Sequence, residues 1–129
     1  MDKKYKELLL KDICARLPYN VKCYNSKYRS DLAEEIICIT VNYNHPCIQL
    51  GTYLYKLEQV KPYLFPLSSI TEAEKEEYCQ LQQRVIYNSK VVVTEDITKY
   101  INWCYKKHLD INNLIPMGLA IDATGLNIY

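Results

Sequence analysis

Glu35-Ile36-Ile37-Cys38-Ile39-Thr40-Val41-Asn42-Tyr43 reads as a β-strand. Ile, Val and Thr dominate it, and β-branched side chains suit a pleated surface better than a helical turn. Strict alternation sends Ile37, Ile39, Val41 and Tyr43 to one face and Ile36, Cys38, Thr40 and Asn42 to the other. Asn44-His45-Pro46 follows as a turn signal. Cys47 to Leu57 then reads as the return strand, with Ile48, Leu50 and Leu54 on one face and Gln49, Gly51, Tyr53 and Tyr55 on the other; Gly51 is expected to mark a bulge. The pairing predicts a small antiparallel sheet with one face on the core.

Upstream, residues 4–17 form an amphipathic helix pattern. Tyr5, Leu9, Ile13 and Leu17 recur every four residues, with Leu8, Leu10 and Cys14 beside them. Lys6, Glu7, Lys11 and Asp12 lie mostly off that stripe, and Pro18 stops the helix. Val21 to Tyr24 is a short strand candidate, and Asn25 to Glu34 reads as a polar loop. Downstream, Val60 to Leu67 holds two prolines, which predicts a short helical turn and an extended link. Thr71 and Glu74 have the spacing of a capping box, and the glutamates between 72 and 77 suit a helix start, so a helix is expected to about Val85. Asn88 to Lys90 breaks the pattern, and Val91-Val92-Val93 suggests one further strand. Thr94 caps the next predicted helix, in which Ile97, Tyr100, Ile101, Cys104, Tyr105 and His108 follow helical spacing. The segment 112–129 is too apolar for a disordered tail and is expected to pack irregularly on the domain.

The chain of 129 residues suits one domain, 1–129, and can bury a core without a metal or disulfide staple. Sixteen basic residues against fifteen acidic ones give no global electrostatic case for nucleic acid or an anionic membrane. No apolar run approaches the roughly 18 residues of a membrane span, and the charged N-terminal stretch lacks a signal-peptide core, so the chain reads as cytoplasmic. The six cysteines show no C-x-x-C spacing and no His at zinc-ligand distance; free, buried thiols are the simpler reading. Thirteen tyrosines against one Phe and one Trp fit the codon bias of an AT-rich genome, or a tyrosine-built binding face.

With three glycines, at 51, 118 and 125, neither a phosphate loop nor a dinucleotide fingerprint can be built. His45 sits in the expected turn and His108 at a helix end, where a cation favours the dipole; neither accompanies a nucleophile motif. Asp110 and Asp122 lack metal-loop spacing. No catalytic residue, metal ligand or cofactor is assigned, and the chain reads as a non-enzyme. Lys22, Tyr24, Tyr28 and Arg29 interleave basic and aromatic side chains, and Tyr53 and Tyr55 lie on a strand that can approach them. Stacking platforms flanked by cations bind nucleotides or bases, so these six are the candidate ligand residues. A solvated loop beside a tyrosine-covered sheet is the plainer alternative.

Three stretches carry a resemblance: Val60-Lys61-Pro62-Tyr63-Leu64-Phe65-Pro66-Leu67, then Ile101-Asn102-Trp103, then Leu114-Ile115-Pro116-Met117-Gly118-Leu119-Ala120-Ile121-Asp122-Ala123-Thr124-Gly125. With Glu7 to Asp12 and Ala15 to Tyr19, they resemble a family of small uncharacterised proteins of gut anaerobic bacteria, their prophages and phages. The resemblance implies a phage or prophage setting and carries no residue roles.

The sequence therefore predicts an α+β fold: a small antiparallel sheet with about three helices packed on one face. The leading functional expectation is a non-enzymatic phage or prophage accessory protein that binds a host protein, counter-defence included. The alternatives are a nucleotide or signal-molecule binder that sequesters its ligand, and a single-stranded nucleic-acid binder. The near-neutral charge disfavours the last.

Overall fold

Asp2 accepts a hydrogen bond from the Lys4 N–H at 3.1 Å and starts helix α1, Lys3–Arg16. From there a computed structural model describes residues 2–27, 33–42, 45–87 and 94–129. Leu9 and Ile13 point into the core as the periodicity predicts, but Tyr5 is exposed, Asp12 is buried although it was expected off the apolar stripe, and Arg16 is buried with it. Each of those charges completes the other, so both can leave water. After Arg16 the chain tightens into a 3₁₀ turn, Leu17–Tyr19, that contains Pro18.

Strands β1 (Lys22–Asn25), β2 (Glu34–Asn42), β3 (His45–Leu50), β4 (Tyr53–Lys56), β5 (Val60–Leu64) and β6 (Ile121–Asp122) form one sheet in the order β4-β3-β2-β1-β5-β6. It is larger than expected and mixed: the β5–β6 pair is parallel and the others are antiparallel. Two departures from simple alternation set which side chains face inward. The β2–β3 register slips between Ile36 and Cys38, so Ile37 is an extra residue, and both Ile36 and Ile39 pack on the core. The Cys47–Leu57 stretch is two strands, not one. Gly51 and Thr52 turn it back, with Leu50 opposite Tyr53 and Ile48 opposite Tyr55. Gly51 has φ +60°, the first position of a type II′ turn, and not the expected bulge. The turn puts Tyr55 on the same face as Ile48 and leaves Tyr55 2% exposed. His45 and Pro46 open β3 instead of forming a turn, and Asn25 and Glu34 belong to strands instead of a loop.

The proline-containing stretch 60–64 is an internal strand and not a link. The Ser26 N–H donates to the Gln59 carbonyl at 2.7 Å, so the 26/59 pair is a hydrogen-bonded one. Pairs then alternate, and Pro62, opposite Cys23, falls at a non-hydrogen-bonded position towards β1. Its nitrogen faces the other side, where β6 begins pairing only at Tyr63, so no ladder bond is lost.

Helices α2 (Glu72–Tyr87) and α3 (Thr94–Lys106) pack against each other. The capping box forms: the Thr71 N–H donates to Glu74 Oε1 at 3.1 Å and the Glu74 N–H to Thr71 Oγ1 at 3.2 Å. The Tyr78 and Tyr100 hydroxyls meet at 3.0 Å between the helices. α3 closes in a Schellman motif, with the His108 N–H on Tyr105 O and the Leu109 N–H on Cys104 O, both at 3.0 Å. His108 occupies the left-handed position at φ +58°. Phe65 exchanges hydrogen bonds with His108 O and the Asp110 N–H, which ties this helix end to the end of β5. The C-terminal segment packs as expected, burying Leu114, Leu119, Ala120 and Ala123, and also supplies β6. The turn and strand expected at 88–93, and Tyr43 at the end of β2, lie outside the described residues.

Candidate functional site

Lys3, Lys6, Glu7 and Leu10 recur at i, i+3, i+4 and i+7 and so share one face of α1, beside the face that carries Leu9 and Ile13 into the core. That face forms one wall of a cleft of about 800 Å³. His45 and Pro46 at the start of β3, and Lys56 to Gln59 at the end of β4, form the other wall. The β4 end is held by local chemistry. The Lys56 N–H donates to Gln59 Oε1 at 2.9 Å, which closes a 3₁₀ turn, and Leu57 is 1% exposed and anchors it in the core.

Leu10, Pro46 and Leu57 are the apolar residues of the cleft lining, and Lys3, Lys6, Glu7, Lys56 and Glu58 the charged ones. Lys3, Lys6 and Glu7 stand on the α1 wall and Lys56 and Glu58 on the other, so the lysines and glutamates of the cleft sum to one net positive charge. Lys6 Nζ and Glu58 form an ion pair that joins the two walls. The hydrogen bond from Lys6, backed by one from Glu58's own backbone, holds the Glu58 carboxyl below its usual range. Glu7 makes no ion pair among the described residues.

The four sequence-predicted ligand residues among the described residues do not come together here. Lys22 and Tyr24 are on β1, whereas Tyr53 and Tyr55 are on β4, three strand positions or about 14 Å across the sheet. Lys22 Nζ donates to the Ile128 carbonyl at 2.8 Å and lies over the Tyr129 ring at 5.9 Å. Tyr24 is half-buried, Tyr55 is in the core and Tyr53 is exposed. Tyr28 and Arg29 lie outside the described residues. The helical spacing of Lys3, Lys6, Glu7 and Leu10 was readable, but nothing in sequence pairs that face with Glu58.

All six cysteines are unpaired. Burial raises the Cys23 thiol far above its usual range, and lifts Cys104 to about 11 with Arg16 nearby opposing the rise, so both stay protonated. His108 is not the helix-end cation expected: burial, then Arg16 and Lys22, push it down to about 4, and it is neutral at pH 7. Among the described residues no cluster of three His, Cys, Asp or Glu side chains is placed to hold a metal ion, and no helix is long and apolar enough to cross a membrane. The chain matches no protein-family model, no curated protein and no solved structure.

Proposed function

We propose that this protein binds, without turnover, a small anionic molecule of nucleotide or signal-molecule class in the cleft between α1 and the β3–β4 end of the sheet. One observation carries the reading: three lysines and three apolar residues line one cleft of about 800 Å³. Ligand pockets commonly measure about 300–1,000 Å³ and combine apolar walls with a few orienting polar groups. The apolar lining suits a base or acyl body, and the lysines suit phosphate or carboxylate. In a phage or prophage setting, a protein of this kind works in the cytoplasm by sequestering its ligand. A thermal-shift screen against linear and cyclic nucleotides tests it. A ligand at 100 times its Kd adds about 2.7 kcal/mol of stability, and the bound molecule is recovered unchanged. No stabilisation at millimolar nucleotide, or recovery of a converted product, overturns it.

A second reading, binding of a host protein, draws on Ile37 and Leu54, which are 61% and 47% exposed and which the register places on the sheet face away from Ile48 and Tyr55. Apolar surface left in water marks interaction sites when it is contiguous. Charged substitutions at these two positions then abolish complex formation with an identified partner and leave nucleotide binding intact.

A further inference from the structure

We infer that Glu58 sets the anion affinity of the cleft by competing with the ligand for Lys6, so that the site favours phosphoryl groups over carboxylates. The inference rests on the cleft being the ligand site proposed above. Lys6 and Glu58 stand on opposite walls, and their ion pair closes the gap between α1 and the turn after β4. With Lys6 engaged, Lys3 and Lys56 are the lysines of the cleft left to an incoming anion. To recruit Lys6, a ligand must offer it more than the Glu58 carboxylate already does. A monoanionic carboxylate is no improvement; a phosphoryl group with a second charge and three acceptor oxygens is.

The pair is also cheap to break. Its side chains are 41% and 35% exposed, and exposed pairs contribute little to stability. Opening it leaves the anchors of both walls, Leu9, Ile13 and Leu57, in the core. Glu58 therefore acts as an internal stand-in for the ligand's anion, and a ligand that displaces it exchanges one ion pair for another.

Glu7 provides an internal control. It lines the same cleft with the same charge but does not hold Lys6. Removing either carboxylate raises the net charge of the site by one; removing Glu58 also frees a lysine.

The experiment is isothermal titration of the full chain with ADP, and with adenosine 5′-carboxylate as the carboxylate counterpart, in wild type, Glu58→Gln, Glu7→Gln and Lys6→Gln. Thermal melts confirm folding. The expected result is ADP binding tightened about threefold to fivefold by Glu58→Gln, by less than about twofold by Glu7→Gln, and weakened by Lys6→Gln. The preference for ADP over the carboxylate narrows in Glu58→Gln. Equal gains in the two Glu variants reduce the effect to bulk charge and overturn the inference, as does an unchanged Glu58→Gln, while the ligand reading stands. If neither wild type nor Glu58→Gln binds ADP, the nucleotide reading fails and the inference with it.

Discussion

The imidazole of His108 lies flat on the phenol ring of Tyr129, with the centroids 3.7 Å apart and the planes 13° from parallel. Tyr129 is held from its other end, where its hydroxyl donates to the Tyr63 carbonyl at 2.8 Å and accepts from the Lys22 N–H at 2.9 Å. The stack therefore fastens the end of α3 to β1 and β5. Burial of the ring, and the positive charges of Arg16 and Lys22, push the His108 pKa down to about 4. An unfolded histidine titrates near 6.5. Between those values the unfolded chain binds the extra proton, so stability rises with pH across that window: it is complete above about 6.5 and lost as pH falls towards about 4. Since the ring is only partly buried, the expected loss is about 1 kcal/mol between pH 7.5 and 5. Urea unfolding across that range measures it. His108→Asn, which tolerates the left-handed backbone but does not titrate, flattens the profile. An unchanged slope in that variant removes His108 as the cause.

The Asp12–Arg16 pair is fully buried, and breaking it from one side should cost far more than any surface pair. Arg16 Nε and Nη2 reach Asp12 at 2.6 and 3.1 Å, Nη2 also donates to the Leu109 carbonyl at 2.7 Å, and Asn112 donates to Asp12 Oδ2 at 2.7 Å. The guanidinium lies 4.8 Å from the Tyr105 ring centroid. Asp12→Asn leaves a buried cation without its counter-charge, and about 3–5 kcal/mol is the expected loss. Pairing Asp12→Leu with Arg16→Met removes both charges and costs less than the two single changes added together. A double-mutant cycle by urea denaturation reads that difference. Strict additivity would mean that the two residues do not act as a unit.

What the sequence disclosed was local. The Thr71–Glu74 cap and the Ile-rich strand around residue 39 were legible because their partners lie within a few residues. The Asp12–Arg16 spacing was also visible, but not its burial, because that depends on Leu109 and Asn112, 93 residues from Arg16 and 100 from Asp12. Pro62 was misread because proline excludes a strand only where the ladder needs its N–H, and that depends on β1 and β6 together. The cleft failed to show for the same reason: its lysine spacing is local to α1, and its second wall is some fifty residues away.

Gly51 is where the sheet depends on a backbone that other residues resist. At φ +60°, Gly51→Ala carries a left-handed penalty of about 1–2 kcal/mol, and its Cβ would sit 2.9 Å from Glu34 Oε2. The carboxylate is the free end of a flexible side chain and can move, so the backbone accounts for most of the cost. Unfolding of Gly51→Ala in urea should show that loss, and adding Glu34→Ala should recover little of it. Full recovery would place the cost in the Glu34 contact instead. Gly118→Ala, at φ +74° with nothing within 4 Å of a new Cβ, reports the backbone penalty alone.

Tyr53 and Tyr55 are two residues apart on the edge strand, and the structure gives them opposite assignments. Tyr55 is 2% exposed opposite Ile48; Tyr53 is 58% exposed opposite Leu50. Tyr55→Ala empties a core position and should cost about 3–5 kcal/mol, as large aromatic truncations do. Tyr53→Ala should cost about 1 kcal/mol or less, within the range of surface changes. Neither should alter ADP affinity by more than about twofold once the variants are compared below their melting temperatures, because neither lines the cleft. Guanidinium melts and titration at one temperature separate the two effects. A Tyr55→Ala protein that stays folded with unchanged stability but loses ADP would return the ligand site to the tyrosines of the sheet and away from Lys3, Lys6 and Lys56.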